Sequence, residues 1–218
     1  MSTIDDARAT VAPAAAAAVA DPAPLGLAAF ALTTFLLSAV NAGWVKSGTG
    51  SDWLGYALAY GGLAQLLAAM WEFRNGNVFG ATAFGSYGSF WIGLGLWALL
   101  VAPHALSAKA AGTDLGWILL GFALFNLYML ICSALTTAAI FAVFLTLQLT
   151  EIFLFWGNFA SSSGVLKVGG YLGVLTALVA WYTSFAGVFN GIAGRMVAPV
   201  GGPVLKLRAA RATRTVRA

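Results

Sequence analysis

Hydrophobic and polar positions fall in long blocks along this chain. Six apolar blocks, at residues 24–45, 53–73, 79–101, 115–132, 135–157 and 165–190, each come close to the ~20 residues a helix needs to cross a hydrocarbon core. Most breaks between them are polar or glycine-rich: residues 46–52, 72–77 and 103–114, then Ser161-Ser162-Ser163-Gly164. Nothing from Leu115 to Thr150 is charged, which is too long for one span, so a tight turn is expected over residues 133–137. The expected fold class is an all-α integral membrane protein with six transmembrane helices in a compact bundle. Five spans, one of them long and tilted, is the alternative count.

Composition agrees with the block pattern. The chain has 218 residues, 61% hydrophobic and 8% charged, and a mean hydropathy of +0.88. A soluble domain carries about 25% charged residues, so this chain has too few to cover a water-facing surface. That argues against a soluble enzyme, a disordered protein and a nucleic-acid binder. The sequence pI near 9.5 reflects mainly the end of the chain, where Arg195, Lys206, Arg208, Arg211, Arg214 and Arg217 occur with no Asp or Glu. The expected organisation is a flexible N-terminal tail over 1–22, a membrane domain over 23–194 and a basic cytoplasmic tail over 195–218. The alanine run near the N-terminus follows Asp5, Asp6 and Arg8 and lacks the leucine-rich centre of a signal peptide. With six spans, Arg8, Arg74 and the six basic tail residues share one side, against Lys46, Lys109 and Lys167 on the other. The positive-inside bias then puts both termini in the cytoplasm. The basic tail also suits anionic membrane lipid, although topology alone accounts for it.

Small residues four apart let membrane helices approach closely. Gly76 and Gly80, Gly112 and Gly116, Gly169 and Gly173, and Gly187 and Gly191 have that spacing. This suits a tight bundle and packing between copies.

Little in the chain suits catalysis. His104 is the lone histidine and sits at a span end; Cys132 is the lone cysteine, so no intramolecular disulfide is expected. Gly85-Ser86-Tyr87-Gly88-Ser89 lacks the Gly-Lys-Ser/Thr ending of a phosphate loop. No catalytic set, metal site or cofactor is expected. Polar residues inside spans are more informative, because they are expensive there and face the bundle interior. Asp21 precedes Pro22-Ala23-Pro24 and reads as a helix cap or as an entrance ligand. Asn41 lies near the end of span one, and Glu72 and Arg74 read as a snorkelling pair. Glu151 lies well inside span five, where an ionised carboxylate costs on the order of 3 kcal/mol. It reads either as a pore-lining group or as a hydrogen-bonded structural acid.

The run Asp21-Pro22-Ala23-Pro24-Leu25-Gly26-Leu27 resembles the Asn-Pro-Ala-Pro-Leu-Gly-Leu signature of the acetate uptake transporters, the SatP/YaaH-like acetate–succinate permeases. A second block is also similar to that family: Gly61-Gly62-Leu63-Ala64-Gln65, the run from Trp71 to Phe84, and Ser86-Tyr87-Gly88-Ser89-Phe90-Trp91. So is Gly157-Asn158-Phe159 at the exit of span five. The resemblance covers about residues 21–194 and implies a homohexamer in the cell's inner or plasma membrane. It further implies a path in each protomer for acetate and related small carboxylates, succinate among them, as a channel or proton-linked transporter.

By motif position the family's apolar gate falls on Phe30 and Tyr87, and on Leu147 by counting back from Gly157-Asn158. Such a constriction can dewet, holding back ions and water, while the Tyr87 hydroxyl donates to a passing carboxylate. Asp21, Pro24, Leu25, Asn77, Thr82, Gln148 and Glu151 are further path or entrance candidates. Asp21 departs from the signature Asn, Val78 stands where Thr is common, and Gln148 and Glu151 are polar where an apolar residue is usual. Four residues on from Leu147, Glu151 is expected on the same helix face, tuning permeation through its charge. The alternatives are a urea or amide channel and a non-transporting membrane sensor or scaffold.

Overall fold

The computed structural model describes residues 19–45 and 50–206. Most of the proposed N-terminal tail, residues 46–49, and the basic tail from residue 207 onward lie outside the described residues. Six helices are long and apolar enough to cross a membrane: α1 Ala23–Asn41, α2 Leu54–Arg74, α3 Val78–His104, α4 Ala108–Ser133, α5 Ala138–Phe159 and α6 Ser163–Ala193. No strand occurs among the described residues. This is a multi-pass membrane protein. Helices suit the task because each satisfies its own backbone hydrogen bonds where no water can.

Short side chains start the helices where apolar residues would leave amides unpaired. Asn77 accepts from the Gly80 amide at 3.1 Å, Ser107 from Ala110 at 3.1 Å, Thr137 from Ile140 at 3.2 Å and Ser162 from Val165 at 3.4 Å. Asp21 accepts from the Ala23 amide at 2.9 Å, and the prolines that follow need no donor there. Gly194, at φ +63°, ends α6. Helix α4 begins seven residues before the block at 115, because Ser107 caps a turn the apolar count could not register. Helix α2 is a π-helix over Ala57–Ala64, the turn type that often marks functional sites.

The helices form a ring in the order α2, α1, α6, α5, α4, with α3 beside α2. Of the neighbouring helices around the bundle, α3 and α4 meet least along their backbones, and long side chains fill that seam. Phe90 and Phe122 stand with ring centroids 4.6 Å apart, and Tyr87 and Phe125 5.5 Å apart. Elsewhere small residues bring the helices together. A Cβ on Gly170 would strike the backbone of Ala42, and one on Gly169 would lie 2.7 Å from Leu154. Gly169 and Gly173 therefore pack within one protomer, against α5 and α1. Hydroxyls add short cross-links: Thr150 to Thr176 at 3.1 Å, and Ser184 donating to the Pro24 carbonyl at 2.7 Å.

Beyond α6 the described part of the tail is pinned to the bundle. The Asn190 side chain accepts from the amides of Val197 and Ala198 and donates to the Ala198 carbonyl. The Val200 carbonyl accepts from the Ala139 amide at 2.9 Å, one of the unpaired donors at the start of α5. Glu72 also differs from expectation. It is 1% exposed and turned into the bundle, while Arg74 stays exposed, so the two do not form a snorkelling pair.

Substituting Gly170 by Val is expected to cost about 1–3 kcal/mol or more through overpacking. Gly191→Ala, where a Cβ meets nothing within 4 Å, is expected to be close to neutral. Thermal unfolding in detergent reads the difference.

Candidate functional site

Two cavities lie end to end inside the ring. The larger, of about 300 Å³, opens between the starts of α1, α3 and α5 and is lined by Asp21, Gln65, Glu72, Asn77, Phe144 and others. The smaller, of about 40 Å³, runs toward Asn41 and Leu154, past Thr34, Ser38, Trp91 and Glu151. Three residues line both: Phe30, Tyr87 and Leu147. All three are buried, at 5%, 3% and 6% exposure, and the Phe30 and Tyr87 rings meet edge to face at 5.7 Å. They form a thin apolar partition contributed by α1, α3 and α5.

Behind the partition lies a buried polar network. The Tyr87 hydroxyl is 3.0 Å from Asn126 Oδ1 and 3.2 Å from Glu151 Oε1. Asn126 Nδ2 donates to the Phe144 carbonyl and to Gln148 Oε1, each at 3.0 Å, and Gln148 Nε2 donates to the Ala123 carbonyl at 3.2 Å. The network ties α3, α4 and α5 together where helix-to-helix contact is thin.

Five buried side-chain polar atoms among the described residues have no hydrogen-bond partner: Thr34 Oγ1, Gln65 Oε1, Glu72 Oε1, Trp91 Nε1 and Glu151 Oε2. Every one belongs to a residue lining one of the two cavities. A buried unsatisfied polar group costs about 1–3 kcal/mol, so this clustering marks the passage as the place where outside atoms supply partners. The larger cavity offers mainly acceptors, with the carboxyl groups of Asp21 and Glu72. The smaller offers the Trp91 N–H and the Thr34 O–H. No Lys, Arg or His is among the lining residues of either. Among the described residues no group of three His, Cys, Asp or Glu side chains could hold a metal.

Comparison with known proteins fits this arrangement. Residues 5–201 match the GPR1/FUN34/yaaH family. The chain belongs to that family. It is 41% identical over 182 residues to the Ammonia transport outward protein 2 of Saccharomyces cerevisiae, covering 82% of this chain but 64% of that one. It is 35% identical over 184 residues to the Succinate-acetate/proton symporter SatP of Escherichia coli K12, covering 84% of this chain and 96% of that one. The solved structure of the bacterial acetate channel SatP superposes with a TM-score of 0.77 at 34% identity, covering 84% of this chain and all of that one.

The residues singled out by the sequence separate clearly. Phe30, Tyr87 and Leu147 stand together, and Glu151 lies on the same face as Leu147, both lining the smaller cavity. Gln148 joins the network. Asp21 and Asn77 flank the mouth of the larger cavity. Pro24 packs beneath Gly187 and lines only a side pocket. Leu25 is 46% exposed on the outer face, and Thr82 lines neither cavity. Residues 85–89 lie within α3, with the Ser89 hydroxyl bonded to the Gly85 carbonyl, so no phosphate loop exists there. Sequence reasoning missed Asn126 and Gln65. The available signal was an amide inside an otherwise apolar span, the same signal that drew attention to Glu151.

Replacing Asn126 by Leu removes one of the two acceptors of Tyr87 and the donor to Gln148. The expected cost is about 1–3 kcal/mol of stability, read by thermal unfolding. Thr82→Ala, away from both cavities, is expected to change little.

Proposed function

We propose that this chain is a transport protein that carries acetate and related small carboxylates, succinate among them, across the membrane along the two-cavity path. The observation that carries the reading is the passage itself. It runs through the six-helix bundle, is interrupted only by Phe30, Tyr87 and Leu147, and is lined by all five unpartnered buried polar atoms. Those three residues are the gate. An apolar partition excludes bulk water and hydrated ions. A solute with a methyl end and a carboxyl end loses less on entering it, and finds unpartnered donors in Thr34 and Trp91 beyond it.

The family adds support. The E. coli relative is named for succinate, acetate and proton, and a solved relative is called an acetate channel. The chain spans 64% of the yeast relative's length, so the activity rests on this reading of the path. Asp21, Asn77, Gln148 and Glu151 are path residues in the proposal, and the reading assigns no catalytic role. The protein is a homohexamer in the plasma or inner membrane, each protomer with its own path and both termini in the cytoplasm. Its exposed apolar surface on α4 and α6, including Trp117, Leu124, Tyr171 and Phe185, is covered by lipid or by neighbouring protomers. Ammonium is a second permeant to consider, favoured by the yeast relative's name and by the acceptor-rich larger cavity.

Purified protein in sealed vesicles is expected to take up labelled acetate faster than empty vesicles, with propionate and succinate competing and urea not. Vesicles no leakier to acetate than empty ones reject the reading. Uptake of methylammonium without acetate uptake selects the second permeant.

A further inference from the structure

The network behind the gate contains one hydrogen too few when Glu151 is ionised. Tyr87 has a single hydroxyl hydrogen and two acceptors, Asn126 Oδ1 and Glu151 Oε1, within hydrogen-bond reach. Asn126 is not free to turn its amide toward Tyr87, because Nδ2 already donates to Phe144 and Gln148. Gln148 is fixed in turn by its own donation to the Ala123 carbonyl. Donation therefore runs one way, from Tyr87 to Asn126, from Asn126 to Gln148 and from Gln148 to Ala123. The remaining link, from Glu151 to Tyr87, forms only when Glu151 is the carboxylic acid. The other oxygen of Glu151, Oε2, is buried without a partner on a residue that lines the smaller cavity.

We propose that Glu151 is the proton-holding residue of the path and the positioning residue of the gate tyrosine. A carboxylate crosses while Glu151 carries a proton and is turned back when Glu151 is ionised. This rests on the carboxylate-transport reading above. In the acid form Glu151 donates to Tyr87, the chain of hydrogen bonds closes, and the smaller cavity presents the Thr34 and Trp91 donors with no charge. Loss of the proton to water turns the Tyr87 hydrogen to the new carboxylate and leaves Asn126 Oδ1 without a donor. An arriving anion then meets a like charge in an enclosed space, where such repulsion is poorly screened.

Among the described residues no Lys, Arg or His lines the cavity to offset that charge. Tyr87 from α3 is the titratable group facing Glu151, and Tyr128 of α4 is near enough to Tyr87 to act on it. Toward the same cavity α1 presents Thr34, Ser38 and Asn41, and α4 presents Leu119. Helix α6 bonds to the neighbouring Thr150 through Thr176. Glu72 lines the larger cavity, on the other side of the gate.

Two measurements test the assignment. In the first, protein-dependent acetate flux is read in vesicles at equal pH on both sides, at fixed acetate anion concentration, with empty-vesicle flux subtracted. Wild-type flux is expected to fall about tenfold per pH unit once the pH exceeds the midpoint of one titrating group, and E151Q to keep its flux within about twofold over the same range. Parallel profiles overturn the proposal. In the second, infrared difference spectra of wild type, E151Q and E72Q assign the protonated-carboxyl stretch. A band present at the pH of full flux and lost only in E151Q supports the proposal, and its absence from wild type overturns it. Because the spectrum needs no transport, failure of the carboxylate reading is distinguishable, as is an E151Q protein that does not fold. In the latter case the wild-type band must disappear over the pH range in which flux is lost.

Discussion

A buried hydrogen-bonding group inside a bilayer has no water to fall back on, and that constraint shapes every level of this protein. It forces the backbone into helices, which are self-sufficient, and it draws polar side chains to the bundle interior. Isolated hydroxyls solve the problem locally. Thr33, Thr146, Thr176 and Thr183 donate to carbonyls one turn back on their own helices. The amides and the carboxyl at the centre of the bundle do not use that solution. Asn126, Gln148 and Glu151, with the Tyr87 hydroxyl, find one another across three helices. The polar cluster and the weak seam between α3 and α4 thus coincide, and one network both closes the ring and stands behind the partition of Phe30, Tyr87 and Leu147.

The passage is the counterpart of this satisfaction. Among the described residues the buried side-chain polar atoms away from the two cavities have partners, and the five that lack them belong to cavity-lining residues. A protein that leaves donors and acceptors open only along one route has paid for a solvating surface there. The route is asymmetric, with acceptors and two carboxyl groups in the wide part and neutral donors in the narrow part. Between them stand Phe30, Tyr87 and Leu147, which line both parts. No described Lys, Arg or His lines either cavity, so in the proposed reading an anion is stabilised by hydrogen bonds rather than by opposite charge.

Close packing holds the partition in place. Gly169, Gly170 and Gly173 let α6 lie against α5 and α1 at backbone distance. These contacts hold α1, with Phe30, and α5, with Leu147, in register. The third partition residue, Tyr87, is held differently, by its hydrogen bonds and by the surrounding rings of Phe90, Phe122 and Phe125. It is the partition residue whose position depends on polar partners.

Much of this was legible before folding. Block length and scarcity of charge pointed to membrane helices, six by count with five as the alternative, and the breaks, caps and prolines located most of their ends. The motif residues pointed to Phe30 and Tyr87, and the helical period put Glu151 on the face of Leu147. Local signals could not say which polar residues meet, because Asn126 and Tyr87 lie thirty-nine positions apart and nothing in either segment names the other. They likewise could not turn Glu72 inward or separate Leu25 and Thr82 from the path, since a uniformly apolar helix gives no moment to orient it. Those facts belong to the tertiary structure. The order of helices around the ring and the close approaches allowed by glycine decided which faces became interior, and only then did the polar side chains have partners to choose.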